Sequence, residues 1–312
     1  MGGHPVRTVS EPGAHPGILR LVGALLLLGA AFTGPERAAA ADAPPGRPTT
    51  ARGWNELGTR HATEGNFEKA LEAFSEAIRL APNSSDLHVN RGLVHVRLKQ
   101  WQPAEDAFTR ATEANHEDTR AFLHRAIALA ELDRNEEAFR DASRAARMEP
   151  DNPQTVFIRH YLCSRLGRHD LGHTAGATYI GIQGWEDEAA PYVALLNHIA
   201  LRRAGDLKSA KDILAEAATL LPTQDWPYAV IVHLQGALDE ASLLALATDN
   251  DKLTLARYYI GMRCWLEGDA TTAKGHFEWV VASGNSAFLQ HRLAKDHLRE
   301  MAGADQAAAS EE

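Results

Sequence analysis

The sequence predicts an all-α superhelix of antiparallel helix pairs, an α-solenoid. Three observations predict it. A pattern of small, aromatic and proline residues recurs every 34 residues from Ala51 to Pro150. Each period reads as two amphipathic helices joined by a short polar turn. No stretch of useful length alternates apolar and polar residues between turn signals, as a half-buried strand would.

The elements follow in order. Residues 1–41 read as a signal peptide: Arg7 and Arg20 precede the twelve-residue apolar run Leu21–Phe32, which suits an h-region and is too short to span a bilayer. Small residues at 38–41 supply a cleavage pattern, and an uncleaved N-terminal anchor is the alternative. The expected location is periplasmic or secreted after cleavage. Cleavage would remove three Arg and two Glu and take the net charge from −9 to −10. An acidic chain without a basic run is a poor partner for nucleic acid, whose phosphates need clustered Lys and Arg. Residues 42–52, with three prolines, read as a flexible leader.

Residues 53–152 read as three regular units. Counted from Ala51, the first places Trp54, Gly58, Ala70, Phe74, Ala77 and Pro82 at positions 4, 8, 20, 24, 27 and 32. Small residues at 8 and 20 let two helices cross closely, and proline at 32 ends the second helix. Units starting at Ser85 and Thr119 repeat the pattern with Gly92, Ala104 and Phe108, then Ala126, Ala138 and Pro150. A degenerate pair follows at 153–190. Its second helix is expected to be irregular, because it holds four glycines. A further unit covers 191–222, starting 38 residues after the fourth, so the register slips by four. Residues 223–252 read as two short inserted helices split at Gly236. Residues 253–301 read as a last unit, starting at Thr254, with a capping helix from Ser286 to Met301, and 302–312 as a polar tail.

This spacing resembles the tetratricopeptide repeat (TPR), which implies a right-handed TPR superhelix and a binding rather than catalytic role. A narrower likeness lies near the C-terminus. Trp226, Gly236, Tyr259-Ile260-Gly261, Gly268-Asp269, Ala273, Phe277 and His291-Arg292 resemble New lipoprotein I, an envelope TPR lipoprotein of Gram-negative bacteria. That resemblance implies an exported, often dimeric scaffold that brings cell-envelope hydrolases to a tail-specific protease. This chain has no cysteine after its apolar run, where that family carries its lipid anchor.

Enzyme motifs are absent from the sequence: no G-x-S-x-G, no phosphate-binding G-x-x-x-x-G-K, no H-E-x-x-H. Cys163 and Cys264 occupy packing positions in different units and read as buried thiols. His169 and His173 share a helical face, but two ligands do not complete a metal site. The run Glu186-Asp187-Glu188 reads as acidic residues complementing a helix N-terminus. No cofactor or metal is expected.

The functional expectation rests on the concave face. First helices of stacked pairs line it through positions 2, 5, 6, 9, 12 and 13. The expected peptide-binding groove comprises Asn55, Thr59, Asp86, Asn90, Leu93, Arg97, Arg120, His124, Ile127 and Glu131. Only Asn90 matches the residues of a carboxylate-clamping TPR groove identically, so no clamp is read. The leading expectation is an exported adaptor for protein or peptide partners. The rivals are a homo-oligomeric spacer whose groove is filled by its own leader or tail, and an enzyme with an unfamiliar site near the fourth unit and Trp185.

Overall fold

The structure is a computed structural model and describes residues 48–223 and 225–311. The signal segment and most of the leader lie outside the described residues, among which there are fifteen helices and no strand. Unit one pairs α1 (Ala51–Thr63) with α2 (Phe67–Leu80), unit two α3 (Ser85–Arg97) with α4 (Trp101–Ala114), and unit three α5 (Thr119–Glu131) with α6 (Asn135–Met148). Unit four pairs α7 (Pro153–Arg165) with α8 (His169–Gln183), and unit five α9 (Ala190–Ala204) with α10 (Leu207–Leu220). Two short helices, α11 (Trp226–Leu234) and α12 (Glu240–Leu246), lead to unit six, α13 (Asn250–Leu266) with α14 (Ala270–Ser283). The chain closes with α15 (Leu289–Glu311).

In units one, two and six the pair is locked by residues at positions 8 and 24, sixteen apart. A Cβ added to Gly58 would sit 2.8 Å from the Phe74 ring, one on Gly92 2.5 Å from Phe108, and one on Gly261 2.8 Å from Phe277. The glycine therefore makes room for the phenylalanine of its own second helix. Unit three has Ala126 and Ala142 there, both fully buried. Unit four inverts the sizes: His160 stands at position 8 and Gly176 at 24, where an added Cβ would lie 3.0 Å from His160 Cε1 and Asn197. This corrects the expectation of an irregular second helix. α8 is continuous, because burial of Gly172, Ala175, Gly176 and Tyr179 offsets the helix cost of glycine.

The turn inside each unit has a fixed conformation. Position 15 is left-handed throughout: Gly65, Gly167, Gly205 and Gly268 have positive φ, and so do the non-glycines Lys99 (φ 56) and Asp133 (φ 60). The register slip before unit five is a loop after Gly184. There Asp187 accepts from Ala189 N (2.9 Å) and from the Tyr179 hydroxyl (3.0 Å), which ties the loop to α8; no side chain caps the first turn of α9.

Boundaries differ from the expectation: α13 starts at Asn250, inside the segment read as inserted helices, and α15 at Leu289 rather than Ser286. α1 starts at Ala51, inside the segment read as leader, with the Thr50 hydroxyl accepting from Gly53 N at 3.1 Å. α15 runs on to Glu311 through the segment read as a polar tail, where alanine is frequent and favours helix. No helix among the described residues is long and apolar enough to cross a membrane.

Candidate functional site

First helices of successive units pack on one another, α1 on α3, α3 on α5 and α5 on α7, whereas second helices scarcely meet. The first helices thus form the inner, shorter row of a curved stack, and their outward-facing positions line its concave side. This close approach decides the fate of the expected groove residues.

Five of the ten are withdrawn from the surface. Asn55, Asn90, Leu93, His124 and Ile127 are all buried. Asn90 Nδ2 donates to Asn55 Oδ1 at 2.9 Å, so these two amides tie unit one to unit two. His124 stacks on Phe108 with ring centroids 5.5 Å apart. Burial lowers its pKa to about 4, and the nearby Arg120 adds to the effect. The sequence could not separate these residues from the groove, because positions 5, 6 and 9 face both the concavity and the next unit's first helix.

The other five reach the surface to different degrees. Asp86 and Arg97 are exposed, Thr59 and Arg120 are half-buried, and the Glu131 side chain is almost wholly covered. Arg120 is held across the unit boundary: its Nη2 donates to Asp86 Oδ1 at 2.6 Å and to Asp118 Oδ2 at 2.9 Å. Asp118 is the N-cap of α5 and also accepts from Ser85 Oγ at 2.7 Å. Between them these contacts give units two and three a fixed, charge-alternating inner rim.

Beyond unit three the concave side is not open. α15 lies along it, packed mainly on α14 and also on α13 and α7. Glu131, expected as a groove residue, is ion-paired to Arg292. Arg165 Nε donates to Asp296 Oδ2 at 2.7 Å, and Arg203 pairs with Glu300. The Tyr258 hydroxyl lies 3.2 Å from His297 Nε2, and the His297 ring also meets Trp265 and Phe277. Sequence reasoning gave α15 the task of covering the last repeat but missed Arg165 and Arg203 as inner-face residues. The available signal was their position: both stand at position 13, like Arg97 and Glu131.

The remaining candidates have structural places. The Cys163 thiol is buried, and that burial pushes its pKa up to about 11, away from nucleophile chemistry. His169 and His173 belong to no group of three or more metal-ligating side chains among the described residues. Trp185 Nε1 donates to Glu216 Oε1 at 2.9 Å and packs against the core. His160 and His198 repeat one device: Nδ1 lies 2.8 Å from the Gly172 carbonyl oxygen and 2.7 Å from that of Ala210. A carbonyl only accepts, so each Nδ1 carries the proton and each Nε2 is left bare and buried, without a partner.

Comparison with known proteins agrees with this architecture. Tetratricopeptide repeat models match residues 51–84 and 89–153. DnaJ homolog subfamily C member 7 of Mus musculus is 32% identical over 109 residues, which is 34% of this chain and 22% of that protein. Mitochondrial import receptor subunit TOM70 of Rattus norvegicus is 26% identical over 119 residues, 36% of this chain and 20% of the receptor. The match thus spans about a fifth of the length of these curated relatives. Among solved structures, a tetratricopeptide repeat protein from Parabacteroides merdae ATCC 43184 superposes with a TM-score of 0.57 at 16% identity, covering 80% of this chain and 99% of the other. YrrB, described as a TPR protein with an unusual peptide-binding site, superposes with a TM-score of 0.52 at 16% identity, covering 60% and 92%. At that identity the likeness is one of fold. The chain is therefore an all-α TPR solenoid, with tetratricopeptide repeats matched over residues 51–84 and 89–153.

Proposed function

We propose that this chain is a non-catalytic adaptor that binds a peptide or protein partner on the open inner face of units one to three. One observation carries the reading: α3 and α5 present Asp86, Arg97 and Arg120 on the concave surface, which α15 meets only at the end of α5, at Glu131. Such a surface suits an extended or helical segment, with alternating charges setting its register. The peptide-binding site ascribed to YrrB supports the same use of this fold.

An exported adaptor of the cell envelope is the finer form of this proposal, with envelope hydrolases and a tail-specific protease as partners. The apolar run Leu21–Phe32 and the likeness of residues 226–292 to New lipoprotein I support it. N-terminal sequencing of the protein recovered from cells tests export: a start near Asp42 supports it, and a start at Met1 counts against it.

The binding face is tested by photo-crosslinking in cells. A crosslinker at Arg97 should capture a polypeptide that one at Lys69, on the second helix of unit one, does not. Equal labelling from both positions would exclude the inner face as the site. The filling of units three to five by α15 favours a second reading, a homo-oligomeric spacer whose curve is occupied by its own tail. Light scattering separates the two, since a concentration-independent monomer is incompatible with the spacer.

A further inference from the structure

Three first helices offer one side chain each from the same repeat position. Position 13 is Glu131 in unit three, Arg165 in unit four and Arg203 in unit five. α15 answers them with Arg292, Asp296 and Glu300, four residues apart and so on one face of the helix. The pairs form in order: Arg292 with Glu131, Asp296 with Arg165, Glu300 with Arg203. The solenoid reads acidic, basic, basic, and the helix reads basic, acidic, acidic.

A second stripe of α15, one residue further round, supplies the apolar contact, its His297 ring meeting Tyr258, Trp265 and Phe277 of unit six. Leu289, Leu293, His297 and Met301 follow each other at four-residue spacing, and all are buried. This is the anatomy of a helix bound in a groove: an apolar stripe for affinity and a charged stripe for register. The Arg165 side chain is only 2% exposed, and its guanidinium also donates to the Ala130 carbonyl at 3.0 Å and to Asp133 at 2.8 Å. The site is therefore built around the incoming carboxylate rather than met by chance at the surface. The ladder stops at unit three. The next position-13 residue, Arg97, is exposed, and α15 begins too late to reach it.

We propose that the inner face of units three to five is a helix-binding surface, that α15 is its resident ligand, and that a partner occupies it by presenting an amphipathic helix with basic, acidic and acidic side chains at i, i+4 and i+8, displacing α15. The proposal rests on the reading of the concave face as a polypeptide-binding surface and adds the ligand's secondary structure and charge order. Binding of partners would then be gated by release of the chain's own helix.

The test uses the full chain and a labelled synthetic peptide of residues 286–304. Wild type should bind the peptide weakly, because α15 is in place. The variant R292Q/D296N/E300Q removes the charges, isosterically at 296 and 300. It should bind the peptide at least tenfold tighter than wild type, with hydrogen exchange in residues 289–301 accelerated at least tenfold and units one to three still protected. A peptide with the three charges reversed should not bind. Glu131→Arg and Arg292→Glu should each accelerate exchange in α15, and together restore its protection. Unchanged exchange in the neutral variant, equal binding of the two peptides, or no restoration in the double variant would overturn the proposal. Crosslinking from Arg97 reads the open face independently, so capture there alongside failure of the peptide sinks this inference and leaves the adaptor reading intact.

Discussion

Arg165 and Asp296, 131 residues apart in sequence, meet at 2.7 Å on the inner side of the solenoid and join its middle to its last helix. Burial works against the charge on Arg165, but Asp296 and Asp133 outweigh it and its pKa is raised. Removing one partner of a buried pair leaves an uncompensated charge, a loss of roughly 3–5 kcal/mol. Asp133 and the Ala130 carbonyl remain, so Asp296→Ala should cost about 3 kcal/mol. Lys208–Asp212 is the contrast, with side chains 88% and 62% exposed. Lys208→Ala should leave the urea midpoint essentially where it is, because water and salt screen so exposed a pair. Urea midpoints of the two variants, measured together, check the difference.

The inverted lock of unit four gives a second outcome. Gly176→Ala places a methyl 3.0 Å from His160 Cε1 and Asn197, and neither can recede from a fully packed site. The overpacking should cost roughly 1–3 kcal/mol. Gly181 lies in the same helix with nothing within 4 Å of an added Cβ. Gly181→Ala should therefore gain up to ~1 kcal/mol from helix propensity alone. Opposite shifts in thermal midpoint for two Gly→Ala changes five residues apart would show that close approach, not helix content, maintains Gly176.

Gly176 also marks where sequence reading stops. The regular units were legible because Gly58 with Phe74, and Gly92 with Phe108, keep one size order at fixed spacing. In unit four the order reverses, and the reason for a glycine-rich helix sits sixteen residues away in His160. Likewise Asn55, Asn90 and His124 occupy groove positions in the repeat, yet the tight stacking of first helices turns them inward. The ladder on α15 was open to inspection in the spacing of Arg292, Asp296 and Glu300. What the sequence lacked was the curvature that brings this helix back to Glu131. The left-handed turn at position 15 was visible where it is glycine and hidden at Lys99 and Asp133.

Lys99 supplies a third outcome. Its φ of 56 lies in a region that costs a side chain roughly 1–2 kcal/mol, and it makes no ion pair recorded among the described residues. Lys99→Gly should relieve this strain and raise stability by about 1 kcal/mol, less the extra freedom glycine brings to the unfolded chain. Gly205→Ala, at φ 85, should lower it by a similar amount. Asp133 shares the conformation but is held by Arg165, so Asp133→Gly should be destabilising despite the same backbone relief.

Acid should act on the core before it acts on the ion pairs. Burial lowers His124, His160 and His198 to about 4, because a second proton would place a charge on a ring nitrogen that has no acceptor. In the unfolded chain the same residues titrate near 6.5. Between these values the unfolded state binds more protons, so stability falls as pH drops from about 6.5 to 4, by at most ~1.4 kcal/mol per pH unit for each fully neutral histidine. Glu300 behaves differently. His297, then Arg203, hold its carboxyl down to about 2, so its contribution is complete above about 4.5 and is lost only as pH falls towards 2. Urea midpoints should therefore decline from pH 6.5 to 4.5 in wild type, and His198→Phe should flatten part of that decline without touching the Arg203 pair. A midpoint independent of pH across this window would mean that these histidines are not held neutral by the fold.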